Sequence, residues 1–186
     1  MKITRLKKMT MMAMFSAMAY VVMSYCRIPM FADAPYLQYD PKDIIIVIAA
    51  FIAGPFAGIL ISVVVSLVEM LTVSETGPIG MIMNVIATVC FVWPAAMIYK
   101  KKKTFIAAVI GLAISVVAMT AAMLLWNYLI TPFYQGVDRA VIKQMLIPIF
   151  LPFNLIKAGI NMGITLVLYK PVILALRKSG LFTEQN

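Results

Sequence analysis

The chain has no histidine, only two cysteines and only seven acidic residues among its 186 positions. Without histidine it lacks the commonest metal ligand and the commonest general base at neutral pH. Cys26 and Cys90 form no CxxC pair and lie in apolar segments, so they read as packing residues rather than as a disulfide. No G-x-x-x-x-G-K-[ST] stretch occurs, so the chain carries no recognisable ATP site of that kind. The carboxylates are sparse and scattered, and no acid–base or metal constellation emerges from them: no catalytic residue and no metal site is expected. The first apolar segment lacks a small-residue cleavage motif and is read as a retained helix, not a signal peptide.

Apolar residues fill the space left by these absences. The chain is 63% hydrophobic and 12% charged, with a mean hydropathy of +0.99, whereas a soluble domain is about half apolar and about a quarter charged. Its apolar runs are long and do not alternate, which predicts an all-α integral membrane protein rather than a barrel. One domain over residues 1–186 fits the length. The net charge of +9 is then the positive-inside bias of a membrane protein, not a nucleic-acid surface.

Lysine and arginine cluster at Lys2, Arg5, Lys7 and Lys8, at Lys100 to Lys103, and at Lys170, Arg177 and Lys178. Positive charge marks the cytoplasmic face. If the uncharged run Ile44 to Val68 were one helix, Lys100–Lys103 would follow the third crossing and lie outside. A break at Gly54-Pro55, where the residue before proline avoids the α region, removes the conflict. The expected plan is six transmembrane helices near 9–26, 43–53, 55–73, 81–99, 104–130 and 144–169, with both termini cytoplasmic. The short second helix rises only about 16 Å against a hydrocarbon core of about 30 Å. It must be surrounded by other helices, or the loop before it must dip inward, and either arrangement leaves a cavity near the outer face. Asp33, Asp40, Asp43, Glu69, Glu75 and Asp138 then fall at or near the outside, and only Glu184 is cytoplasmic.

Lys157 lies well inside the last span, where a lysine costs roughly 3 kcal/mol and ordinarily faces a cavity or a partner. Asn154 is three positions earlier, on the same helix face. An amide and an ammonium together suit a heterocycle carrying carbonyl and imide groups. Asn161 extends that face and reads first as a bond to a neighbouring helix. Asn127 and Asn84 suit either packing or ligand contact, but both fall in the outer half with Asn154 and Lys157, which points to one outward-facing pocket. In the first loop, Tyr36 and Tyr39 suit either an interfacial belt or stacking on a planar ligand. Asp43 is expected to cap the short helix, and Asp40 before Pro41 to form a turn. Ala13 and Ala17 make a small-xxx-small pair in the first span.

These residues resemble a known family. Tyr36-Leu37-Gln38-Tyr39-Asp40-Pro41-Lys42-Asp43-Ile44, then Ala53-Gly54-Pro55-Phe56-Ala57-Gly58, then Gly77-Pro78-Ile79-Gly80 leading to Asn84, and Leu151-Pro152-Phe153-Asn154 with Lys157 are similar to the substrate-binding S components of energy-coupling factor (ECF) transporters, and most to the riboflavin-specific members. The resemblance spans nearly the whole chain. It implies a high-affinity riboflavin-binding subunit in the cytoplasmic membrane of a prokaryote, with riboflavin as transported ligand and no cofactor. A transmembrane coupling subunit and two ATPase subunits would be its partners. It implies polar ligand contacts at Asn84, Asn127, Asn154 and Lys157, a covering loop with Tyr36 and Leu37, and docking through Ala13 and Ala17. The alternatives are an S component for another vitamin, a membrane enzyme, which would need acid–base or metal chemistry, and a structural subunit, which would leave Lys157 without a reason.

Overall fold

The computed structural model describes residues 5–30, 37–74 and 76–178. Helix α1 (Arg5–Tyr25) leads through a two-residue antiparallel pair, β1 (Ile28–Pro29) and β2 (Gln38–Tyr39), into α2 (Lys42–Ala53). Helices α3 (Pro55–Thr72), α4 (Gly77–Lys102) and α5 (Phe105–Leu129) follow. Two short helices, α6 (Thr131–Gln135) and α7 (Arg139–Met145), precede a π-helical turn (Leu146–Phe150) and α8 (Leu151–Lys178). Among the described residues, four helical stretches are long and apolar enough to cross a membrane: Pro55–Thr72, Gly77–Lys102, Phe105–Leu129 and Arg139–Val172.

Gly54 separates α2 from α3 in a left-handed conformation, φ 95°, where a side chain is strained. Its N–H closes the end of α2 on the Ala50 carbonyl, and Pro55 opens α3, a position where its missing N–H costs nothing. The two helices fold back on each other tightly: a Cβ on Gly58 would lie 2.6 Å from Val92 Cγ1 and 2.9 Å from Ala50 Cβ. α2 is the central element and packs against α1, α3, α4 and α8. This explains why nine of its 12 residues are buried, Lys42 and Asp43 among them.

α4 and α5 are joined by the sharp turn at Lys103-Thr104. Lys103 is left-handed, and the Thr104 hydroxyl caps α5 by accepting from the Ala107 N–H. The two helices approach through small residues. A Cβ on Gly111 would lie 3.0 Å from Ala95, whose N–H donates to Ser115 Oγ at 3.0 Å.

The sequence reading treats residues 144–169 as one span. The structure carries one helical span, Arg139–Val172, through that region, with a π-turn inside it where Pro148 and Pro152 cannot donate to the helical ladder. The Leu151 N–H reaches back five residues to the Leu146 carbonyl, the π-type bond that absorbs the defect. Beyond it, α8 turns Phe153, Asn154, Lys157, Ala158, Asn161 and Thr165 inward, while Leu155, Ile156, Ile160, Ile164 and Val167 face outward. Polar inside and apolar outside is the pattern of a helix solvated by lipid.

Candidate functional site

The cavity lies at the end of the bundle opposite the Lys100–Lys103 turn. It is enclosed by Leu37, Gln38 and Asp40, the start of α4, the end of α5 and the first turns of α8. Its volume is about 100 Å³, and Leu37, Asp40, Asn84, Asn127, Asn154 and Lys157 are among the residues lining it. Five residues expected at the ligand site therefore share one cavity, although up to 120 positions separate Leu37 from Lys157 along the chain. Tyr36 lies outside the described residues.

Each amide is held differently. Asn154 Nδ2 donates to the Phe150 carbonyl at 2.7 Å, one turn back beside the π-turn. Asn127 Nδ2 donates to the Met123 carbonyl at 2.7 Å, and its oxygen accepts from Thr131 Oγ1 at 2.9 Å. Both amides are thus fixed by partners four residues away in the chain. Asn84 lies in the second turn of α4, half-buried. Leu37 is buried among Ile142, Phe150 and Phe153. Met83, Met119 and Met123 supply flexible apolar lining.

Beside the cavity runs a network of buried charges. Lys157 Nζ donates to Asp40 Oδ2 at 2.8 Å. Lys42 Nζ donates to Glu69 Oε2 at 2.7 Å and lies 3.8 Å from Asp40 Oδ1. Arg27 pairs with the other Glu69 oxygen and reaches the Val73 carbonyl. Below these, Tyr39 Oη donates to Asn161 Oδ1 at 3.1 Å. Asp43 accepts from Thr88 Oγ1 at 2.6 Å and from Asn161 Nδ2 at 3.4 Å. Three cations, Arg27, Lys42 and Lys157, thus meet two carboxylates, Asp40 and Glu69, while Asp43 is held by hydrogen bonds alone. Burial alone would raise the Asp40 carboxyl, but Lys157 and Lys42 outweigh it and hold the group well below the usual carboxylate range. The Tyr39 hydroxyl is pushed up to about 12, first by burial and then by the Asp40 charge.

Several sequence expectations change here. Asp43 does not cap α2: Pro41 occupies the N-cap position without a side-chain bond, and Asp43 points inward to Thr88 and Asn161. Tyr39 has a further role that its position did not suggest: its hydroxyl donates to Asn161 and ties the first loop to α8. Asn161 links helices, as expected from its position. A second lysine is buried beside Lys157: Lys42, 1% exposed, which the sequence reading did not single out. The run Asp40-Pro41-Lys42-Asp43 opening an apolar helix carried that signal, as did Glu69 within an apolar span with no cation near it in sequence. Cys26 is exposed and Cys90 half-buried, and neither forms a disulfide.

Ala13 and Ala17 lie elsewhere. Both are exposed and line an apolar groove between α1 and α3, with Ser16, Leu60, Val64 and Val68.

The comparisons with known proteins agree with one another. Residues 7–169 match the family described as "ECF transporter, substrate-specific component". "Riboflavin transporter FmnP" of Bacillus subtilis (strain 168) is 30% identical, over 82% of this chain and 85% of the relative. "Riboflavin transporter RibU" of Staphylococcus aureus (strain TCH60) is 29% identical over 88% and 89%. A solved structure, described as "Structure and mechanism of the S component of a bacterial ECF transporter", superposes with a TM-score of 0.80 at 28% identity, covering 93% of this chain and 99% of that one. The chain is a multi-pass membrane protein with a transport role, and it belongs to the family of substrate-specific components of ECF transporters.

Proposed function

We propose that this chain is the riboflavin-binding subunit of an ECF-type transporter in the cytoplasmic membrane. The observation that carries the reading is the convergence of Leu37, Asn84, Asn127, Asn154 and Lys157 on one cavity. Relatives along most of the chain carry the name riboflavin transporter. The Lys157 ammonium and the Asn154 amide, three positions apart on one helix face, offer donors and acceptors to the polar edge of an isoalloxazine ring. Phe153 and the three methionines offer apolar contact to its rings. The cavity is smaller than the roughly 300–1,000 Å³ of typical small-molecule sites, and the unbranched methionines are the lining most easily moved to enlarge it.

In this reading six segments cross or enter the membrane, α2 being the short one, and both termini are cytoplasmic. The cavity then opens outward, and the lysine turn faces inward. Energy comes from a transmembrane coupling subunit and two ATPase subunits, which dock at the groove of Ala13 and Ala17. The test is a thermal-shift panel of vitamins on the purified protein. Riboflavin should raise the melting temperature, and thiamine, biotin and folate should not. A shift with another vitamin and none with riboflavin would replace the substrate.

A further inference from the structure

The Asp40 carboxylate is half used. Oδ2 accepts from Lys157, while Oδ1 is buried and accepts no hydrogen bond among the described residues. Lys42 Nζ stands 3.8 Å from Oδ1, beyond hydrogen-bond reach, and donates instead to Glu69. Asp40 is 5% exposed and is one of the residues lining the cavity, with Lys157 and Asn154. A buried anionic acceptor without a donor is costly, and such groups in a ligand cavity are satisfied by what binds there.

We infer that Asp40 is a specificity-determining ligand contact, whose Oδ1 accepts a hydrogen bond from an N–H or O–H donor of the bound molecule. Glu69 makes this possible. By holding Lys42, with Arg27 on its other oxygen, it keeps Lys42 from claiming Oδ1. The site thus selects ligands that set a donor next to the acceptor taken by Lys157. In a flavin that donor is either the ring imide N–H or a hydroxyl of the sugar-alcohol chain. The inference rests on the flavin reading above.

The test is titration of riboflavin, 3-methylriboflavin, which lacks the imide N–H, and lumiflavin, which lacks the polyol, against the wild type, Asp40→Asn and Glu69→Gln. In Asp40→Asn the one remaining oxygen goes to Lys157, and an NH2 group faces the ligand. Riboflavin affinity should fall about tenfold or more, the worth of a charge-assisted bond. The fall should vanish for the analogue lacking the donor: for 3-methylriboflavin if the imide is read, for lumiflavin if the polyol is. Glu69→Gln frees Lys42 to take Oδ1 and should reproduce the same pattern with Asp40 intact. Size-exclusion profiles and melting temperatures report whether each variant is folded. Equal losses for all three ligands, or no loss, in folded variants would overturn the inference and leave the flavin reading standing. A wild type that binds none of the three overturns both.

Discussion

Asp40 and Lys157 are 117 positions apart in the chain, yet their charged atoms meet at 2.8 Å in a buried site. One belongs to the first loop and the other to the last helix, so this pair closes the bundle around the cavity. Removing one member of such a pair leaves a buried charge without compensation and costs about 3–5 kcal/mol, whereas replacing both is far milder. Lys157→Met and Asp40→Leu should each lower the melting temperature markedly. The double variant should recover most of the loss in a thermal double-mutant cycle, and additive losses would show that the two do not act together.

Tyr39 gives the pH dependence a definite sign. Its hydroxyl titrates near 10 in an unfolded chain and at about 12 here. The folded state therefore favours the neutral phenol, and this contribution is fully present below about pH 10 and is lost as the pH rises toward 12. The stability difference between wild type and Tyr39→Phe should be constant from pH 7 to 9 and shrink above pH 10, measured by thermal unfolding in detergent. Asp40 works in the opposite sense: its depressed carboxyl contributes above about pH 4, and the contribution is lost as the pH falls through the folded value.

The break between α2 and α3 rests on Gly54 adopting φ 95° with open space around it. Gly54→Ala meets no steric obstacle, so its cost is the backbone strain alone, about 1–2 kcal/mol. Gly58→Ala meets Val92 and Ala50 instead and must push the hairpin away from α4. Both should lower the melting temperature, and only Gly58→Ala should disturb the contact between α3 and α4, as a cysteine cross-linking scan would report.

Ala13 and Ala17 line a groove remote from the cavity. If the coupling subunit docks there, Ala17→Trp should abolish uptake by the assembled transporter and leave riboflavin affinity within about twofold of wild type. The pair of measurements is uptake in cells and fluorescence titration of the isolated chain. An Ala17→Trp chain that transports normally would remove the groove from the docking surface.

What could be read from the sequence follows physical range. The apolar runs, the Gly54-Pro55 break and the inward face of α8 depend on local period and punctuation, and they are visible in short windows. Asn154 and Lys157 stood out because a polar residue in a span needs a reason. The pairing of Lys157 with Asp40, of Lys42 with Glu69 and of Tyr39 with Asn161 depends on which helices become neighbours, and no local pattern encodes that. Asp43 misled for the same reason: a carboxylate in a first helical turn usually serves the helix end, but here Thr88 and Asn161 from other helices claim it. The π-turn was encoded by Pro148 and Pro152, yet its geometry depends on the Leu146 carbonyl finding a donor five residues on.

The central claim is that a flavin binds in the cavity against Asn154 and Lys157. The direct measurement is flavin titration of the purified chain by tryptophan and flavin fluorescence, in the wild type and in Asn154→Ala and Lys157→Ala. Saturable one-to-one quenching in the wild type, with affinity about tenfold or more weaker in each variant, is the predicted result. Wild-type affinity in both folded variants would contradict it.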